Sequence, residues 1–578
     1  MYKYLLIFLA SNLFGYGQTY YVSNSGNDNN TTTQAQNTTT PWKTIQHACN
    51  NATAGTTIQI MAGAYYEQIV LNASGTMGSY ITLTNYVGGT VVVNGNATAA
   101  TLLTISNQSY IKINGLQFYN CIGNNSVGIF IDGVSRNIEI TNNTIHHIYW
   151  NASFSAVANA SQNAQPLIVY GDSSKSVQNI SITNNTFYDN APGFSETCTL
   201  DGNIDGFIIS NNMVHNNQNI GIDIAGNYGT SPNPATDHAR NGIVKNNQVW
   251  RCHSVYDGSA AGIYVDGGVN VKVEQNISYN NDWGIEIGCE QPGDTTANIT
   301  VRDNIVYRNG GGMQVGGYNG PTSTGRVVNA TISNNTFFDN DTLQTGNGEL
   351  SLSYSQNCSF LNNIFYSSAA SILSSGWNNG NSTGFQFDYN CYYSIQSDSI
   401  NTTYAYGTNA YTGFTNYKNS SGFDAHSFFK NPGLTNTSLS TLNFNLLASS
   451  LCINTGVPSF PTDTAEHDFN GNPRILGGRI DIGADEYQGN SMGINIFNDK
   501  LQSVNIYPNP NNGNFVITTT KDISIIIVCD ILGNELLVIN PNGSTATPIN
   551  LSKQASGVYF IKVLANEIQT VKRFIINN

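Results

Sequence analysis

A phrase of alternating apolar and polar residues closed by paired asparagines recurs along the chain, and it restricts the fold more than any other feature. Its copies include "NIEITNNTIHHI" (137–148), "NISITNNTFYDN" (179–190), "GFIISNNMVHNN" (206–217), "NGIVKNNQVWRC" (241–252), "VKVEQNISYNN" (271–281), "NITVRDNIVYRN" (298–309), "NATISNNTFFDN" (329–340) and "NCSFLNNIFYSS" (357–368). Aligned on the second Asn they fall at 143, 185, 212, 247, 276, 304, 335 and 363, in steps of 42, 27, 35, 29, 28, 31 and 28 residues. Alternation at a period of two turns one face inward, and Asn tolerates the left-handed conformation of a tight turn. Stacked copies align their asparagines into a ladder of side-chain amides. Strand repeats of this length, with a common minimum step and variable insertions, imply an all-β parallel β-helix whose coils carry loops of unequal length.

Charge narrows the partners. Only 10% of residues are Asp, Glu, Lys or Arg, against about 25% in an average soluble domain. The 22 basic and 36 acidic residues give a net charge of -14, with no Lys/Arg cluster. Nucleic acid and anionic membrane surfaces are therefore poor partners. Residues 1–17 read as a signal peptide, since their apolar run is too short to span a bilayer, and no other stretch suits a transmembrane segment. The expected product is exported, soluble and monomeric. Nine cysteines without a CxxC spacing read mostly as small core residues, with a Cys252/Cys289 pair left open.

The asparagine phrases resemble those of right-handed parallel β-helix proteins of the pectate-lyase-like superfamily. The segment "YYVSNSGNDNN…PWKTIQHACNNATAGTTIQIMAGAYYEQIVL" is similar to the start of many secreted members. That resemblance implies a short capping helix around Trp42 to Cys49. The tail "VNIYPNPNNGNFVITT…GVYFIKV…VKRFIINN" is similar to the sorting domain of the type IX secretion system, which implies a small β-sandwich, the type IX machinery as a partner, and export through the outer membrane of a Bacteroidetes-type bacterium. The expected organisation is a signal peptide (1–17), an N-terminal cap with first coils (18–94), the β-helix (95–429), terminal coils and cap (430–487), a linker (488–502) and the sorting domain (503–578).

Between the asparagine phrases lies a second unit: "GIFID" (128–132), "PLIVY" (166–170), "TCTLD" (197–201), "GIDIA" (221–225), "GIYVD" (262–266), "GIEIG" (284–288), "GMQVG" (312–316) and "ELSLS" (349–353). Positions two and four are apolar and point inward, so positions three and five form outward columns. One column reads Phe130, Ile168, Thr199, Asp223, Tyr264, Glu286, Gln314, Ser351; the other reads Asp132, Tyr170, Asp201, Ala225, Asp266, Gly288, Gly316, Ser353. Asp201, Asp223, Asp266 and Glu286 thus fall on four successive coils of one sheet. Diagonal neighbours on such a sheet are about 8 Å apart at the backbone, and side-chain rotation covers the carboxyl separations of both retaining and inverting glycosidases.

Flanking loops bring Tyr228, His238, Arg240, His253 and Glu290, and Tyr264 and Trp283 lie on the strands themselves; these are the expected substrate-binding residues. Asp132, Asp201 and Asp266 each precede Gly and could equally be turn formers. The carboxylates point to a secreted, polysaccharide-cleaving glycoside hydrolase that needs no cofactor, acting on an acidic or sulfated glycan such as a fucan. Two alternatives stand beside it. One is a uronate lyase using Ca²⁺, a hard cation suited to stacked carboxylates, although Lys is scarce near the acidic coils. The other is a non-catalytic glycan-binding surface protein. The acids of "DIGADEY", Asp481, Asp485 and Glu486, are expected in the terminal cap, with a structural Ca²⁺ left open.

Overall fold

The chain coils through three sheets, each built mainly of parallel strands from successive coils. In the computed structural model, which describes residues 17–376, 382–459, 466–489, 504–518, 525–530, 535–541, 544–565 and 568–577, one coil runs Val177–Thr183 in the first sheet, Thr186–Tyr188 in the second and Cys198–Gly202 in the third. The first sheet has 16 strands and the others 13 each. The signal peptide and the linker lie outside the described residues except at their edges.

The two asparagines of each phrase divide the work of the first corner. The leading one takes the left-handed turn: Asn142, Asn184, Asn211 and Asn246 have φ between 55° and 58°. The second turns inward. Asn247 Nδ2 donates to Ile209 O at 2.9 Å and to Asn276 Oδ1 at 3.0 Å, while its backbone N–H donates to the same Oδ1 at 2.9 Å. Asn143, Asn185, Asn212, Asn247, Asn276, Asn304, Asn335, Asn363 and Asn390 continue this pattern, all buried. Tyr392, Tyr417 and Asn390 all donate to Asp424, which closes the row.

A second buried row, unanticipated from the repeat, lies at the corner between the second and third sheets. It joins Asn281, Asn309 and Asn340, and ends on Glu349, whose Oε2 accepts from Asn340 Nδ2 at 2.7 Å. Burial pushes the Glu349 carboxyl up to about 8. The leading glycine of each third-sheet phrase makes room for this row: a Cβ on Gly262 would lie 2.6 Å from Asn281 Nδ2, and one on Gly284 2.7 Å from Asn309 Nδ2. Between the rows, the inward columns Ile222/Ile224, Ile263/Val265, Ile285/Ile287 and Met313/Val315 are fully buried.

The N-terminal end is capped as expected, by the helix Ile45–Asn50, which buries Ile45, Ala48 and Cys49. Its first-turn N–H groups at Ile45 and Gln46 donate to the Glu67 carboxylate at 3.0 and 2.9 Å. The far end carries a helix that the repeat pattern does not announce, Phe414–Ser421, with Phe414 and Tyr417 buried. After the hairpin of Leu434–Asn436 and Asn443–Leu446, the segment up to residue 489 forms no further coils among its described residues. It doubles back over the first corner, where Gln275 bonds Asp468 O, Arg474 faces Asp303 at 3.4 Å, and Asn334 bonds Asp481 O at 2.9 Å. None of its described residues joins one of the three long sheets. Its acids accept backbone N–H groups instead: Asp481 from Asn454 and Tyr487, Asp485 from Leu446, Glu486 from Leu476 and Asp481. Cys252 and Cys289 are both free; Cys252 occupies a ladder position, its N–H donating to Asn281 Oδ1 at 3.0 Å. The C-terminal unit is a separate antiparallel sandwich of a three-stranded and a four-stranded sheet around Phe515, Ile526, Ile561 and Phe574.

Asn276→Ala removes the acceptor for two donors of Asn247 and leaves buried groups unpaired, at a cost of about 3 kcal/mol. Asn270→Gly, which keeps the left-handed φ of 55° and removes only the exposed bond to Asn241 at 3.1 Å, costs about 0.5 kcal/mol. Equilibrium denaturant midpoints of the two variants against the parent check this difference.

Candidate functional site

The third sheet sets the predicted columns in register. Thr199 pairs with Asp223, Asp223 with Tyr264, Tyr264 with Glu286 and Glu286 with Gln314; in the second column Tyr170 pairs with Asp201, and Ala225 with Asp266. Asp266 is therefore the diagonal neighbour of both Asp223 and Glu286. The outward face is not open, contrary to what alternation alone suggests. Asp201, Asp223, Asp266 and Glu286 are between 2 and 8% exposed, because loops from neighbouring coils fold over them.

The loop after Ile222–Ala225 is pinned by Asp237, whose carboxylate accepts the N–H groups of Gly229 at 2.6 Å and Ser231 at 2.7 Å. It delivers Thr230, whose hydroxyl donates to Asp201 Oδ2, and Tyr228, whose hydroxyl donates to Asp266 Oδ2. The loop after Trp283–Gly288 delivers Glu290, whose backbone N–H donates to Asp266 Oδ1 at 2.8 Å. Asp266 thus serves the loops of other coils rather than its own turn, although Gly267 behind it does hold a left-handed φ of 85°. Gln314 Nε2 donates to Glu286 Oε1 at 2.9 Å. Asp223 Oδ1 and Asp201 Oδ1 have no hydrogen-bond partner among the described residues.

A sixth carboxyl, Glu196, was not foreseen. It sits in the connection before Cys198–Gly202, off the strand's period, and accepts from Thr199 Oγ1 at 3.3 Å. Its acidity and position one residue before "TCTLD" are the only sequence signals for it.

The charges acting most strongly on this group are negative. Burial, then Glu290 and Asp201, push Glu196 up to about 8; burial pushes Asp201 up to about 6. Burial followed by neighbouring carboxylates raises Asp223, Asp266 and Glu286 well above the ordinary range, and burial raises Glu290. Although 45% of Tyr228 is exposed, its hydroxyl is tucked among the acids. That burial, followed by Asp266 and Glu290, holds its phenol protonated. Tyr228 Oη also lies 3.0 Å from Glu290 Oε2. The single phenolic proton thus lies between two carboxylates, and only one of them can receive it fully.

Other expected residues lie elsewhere. Arg240 begins a first-sheet strand and is held by Asn203 Oδ1 at 3.0 Å and Asp205 at 3.5 Å. His238 packs against Gly226, kept neutral by burial and Arg240. His253 pairs with Asp282 at 2.8 Å on the other side of its loop. Trp283 covers Gly311 at the start of the strand. Tyr264 is buried, its hydroxyl over Gly288, and offers no open ring face; Tyr228 does. Among the described residues no three Asp, Glu, His or Cys side chains are placed together to hold a metal ion.

Residues 20–322 match the profile described as the Pel9A-like, right-handed beta helix region, and the chain belongs to that family. It is 33% identical over 435 residues to the uncharacterized protein YwoF of Bacillus subtilis, a match spanning 72% of this chain and 89% of that one. Similar folds include the mannuronan C-5 epimerase AlgE6 A-module of Azotobacter vinelandii (13% identity, 67% of this chain and 93% of the other, TM-score 0.43). They also include pectate lyase Pel9A (14%, 81% and 96%, 0.32) and the GH136 lacto-N-biosidase of Eubacterium ramulus (12%, 65% and 64%, 0.35). Residues 505–577 match a secretion system C-terminal sorting domain, which makes this a type IX secretion substrate, released or held at the cell surface. No helix among the described residues is long and apolar enough to cross a membrane.

Because the upward shifts let the folded chain bind more protons than the unfolded one, stability falls as pH rises between the ordinary and shifted values. For Asp201 that window runs from 3.8 to about 6, and for Glu196 from 4.5 to about 8. The urea midpoint should fall across it, and Glu196→Gln should flatten the upper half. A midpoint that rises over the same range contradicts the assignment.

Proposed function

We propose that the chain is a secreted carbohydrate-active enzyme that hydrolyses a glycosidic bond between Glu286 and Asp266. The observation behind this reading is that two buried carboxyls, diagonal neighbours on adjacent strands, are held by different donors. Asp266 receives a backbone N–H and a phenolic O–H, and is the better stabilised anion of the pair. Glu286 receives one amide N–H and is buried beside Asp266 and Glu290, which favours its protonated form. A protonated acid facing an ionised partner is the arrangement that glycosidic cleavage requires. Glu286 donates its proton to the leaving oxygen, and Asp266 acts on the opposite side, as nucleophile or as base toward water. Tyr228 holds Asp266 and, with its exposed ring, offers a face to a sugar.

The electrostatics depart from the expectation of an acidic or sulfated glycan at the cleavage point. Six carboxyls crowd this site, and an anionic sugar unit would be repelled there. The geometry favours a neutral unit next to the scissile bond. Family membership gives the uronate-lyase alternative its support, but a lyase requires a base to take the proton α to a uronate carboxyl, and none of the strongest influences on the six acids is a Lys or Arg.

The test is incubation with neutral, uronic and sulfated polysaccharides, recording reducing ends and unsaturated-uronate absorbance with and without chelator. New reducing ends without that absorbance, indifferent to chelator, are expected. Absorbance that chelator abolishes means a lyase, and no new ends means a binding protein. Glu286→Gln and Asp266→Asn should each lower kcat roughly 10³-fold, whereas Asp132→Asn, bonded to Ser106 on an earlier coil, should leave it unchanged.

A further inference from the structure

A second cavity, of about 350 Å³, lies at the corner where the second sheet turns into the third, apart from the carboxylates; Tyr149, Phe154, Asp189, Gln218 and Arg251 are among its lining. That volume is in the range of small-ligand sites. The outward left-handed residues of three successive coils form its floor: Asp189 (φ 49°), Asn216 (φ 54°) and Arg251 (φ 54°). Asp189 and Arg251 are two coils apart, about 9.6 Å at the backbone. Their backbones bond neighbouring coils, but neither side chain forms an ion pair or hydrogen bond with the other or with another described residue. One coil spacing is enough to pair such charges on the same corner, as Arg308 and Asp339 do at 3.0 Å. Here Asn216 intervenes and both charges stay available.

Two further observations point to a ligand. Gln218, a lining residue that is 1% exposed, donates its amide N–H to Phe154 O and Ala156 O, which leaves its buried Oε1 without a partner among the described residues. Phe154, 37% exposed, stands edge-on to Tyr149 at 5.7 Å and supplies an apolar wall. A carboxylate and an amide oxygen that only accept, a guanidinium that only donates and an aromatic wall suit a ligand whose polar groups do both and whose ring has an apolar face.

We propose that this corner cavity is a binding subsite for a neutral pyranose unit. Its position ties it to the carboxylate site. Val255 lines the cavity, while the next residue, Tyr256, stacks on Phe194 at 5.3 Å and is close enough to feel the Glu196 charge. A glycan running across the Ser254–Ala260 loop would thus meet both sites. The inference rests on the glycan-cleaving reading for its biological meaning, but its test requires no turnover.

The full chain carrying Glu286→Gln is mixed with the methyl pyranosides of glucose, galactose, mannose, xylose and glucuronic acid, and binding is read by saturation-transfer NMR and titration. At least one neutral pyranoside should receive saturation. Adding Arg251→Asn, a residue that tolerates the left-handed backbone, or Phe154→Ser should weaken that binding at least tenfold while the circular dichroism melt stays in place. No transfer to any neutral pyranoside, transfer to the glucuronide alone, or binding unchanged by both variants overturns the proposal. Absence of hydrolysis by the parent chain, with pyranoside binding intact, counts against the catalytic reading and not against this site.

Discussion

The coil-to-coil hydrogen bonds of the buried asparagines fix the register on which everything else depends. Each ladder Asn uses its carbonyl oxygen for the backbone and side-chain donors of the preceding coil, and its own amide for a buried carbonyl, so a coil cannot slip without stranding several buried groups at once. A slip of one residue would also exchange the inward isoleucines and valines with the outward acids. The rows end on side chains that replace the missing next Asn. Glu349 does so at one corner and Asp424 at the other. The ladders are thereby closed with their terminal asparagine amides paired.

A fixed register lets the third sheet hold an arrangement that is electrostatically unfavourable. Asp201, Asp223, Asp266 and Glu286 are drawn together on a rigid face and then covered by loops that bring still more acid in Glu290 and Glu196. Such a group is tolerable only if protons are shared within it. Tyr228, with one proton between Asp266 and Glu290, makes that sharing explicit. The rigid strand positions set the separations, and the loops set which carboxyl is hydrogen-bonded as an anion and which is left to hold a proton.

The outward columns were legible in the sequence because the alternation is strict and the asparagine pairs mark where each coil begins. Burial of those columns was not legible, since loop length says nothing about which way a loop folds. Arg240 shows the same limit. It lies close in sequence to the Tyr228 loop, yet it starts a first-sheet strand opposite Asp205, and that strand pairing decides its partner. Glu196 stands outside the period and so outside any column count. The returning segment after residue 446 resembles repeat material in composition and buries the alternating Ile480 and Ile482, but its described residues join none of the long sheets, and its Asp481, Asp485 and Glu486 bind backbone N–H groups where strands would have bonded one another.

The most direct test of the central claim is a crystal structure of the Glu286→Gln chain soaked with an oligosaccharide of the polymer it cleaves. The account predicts the scissile oxygen within hydrogen-bond distance of residue 286, with the anomeric carbon facing Asp266. A glycan bound with both of these groups out of reach of its glycosidic bonds would contradict it.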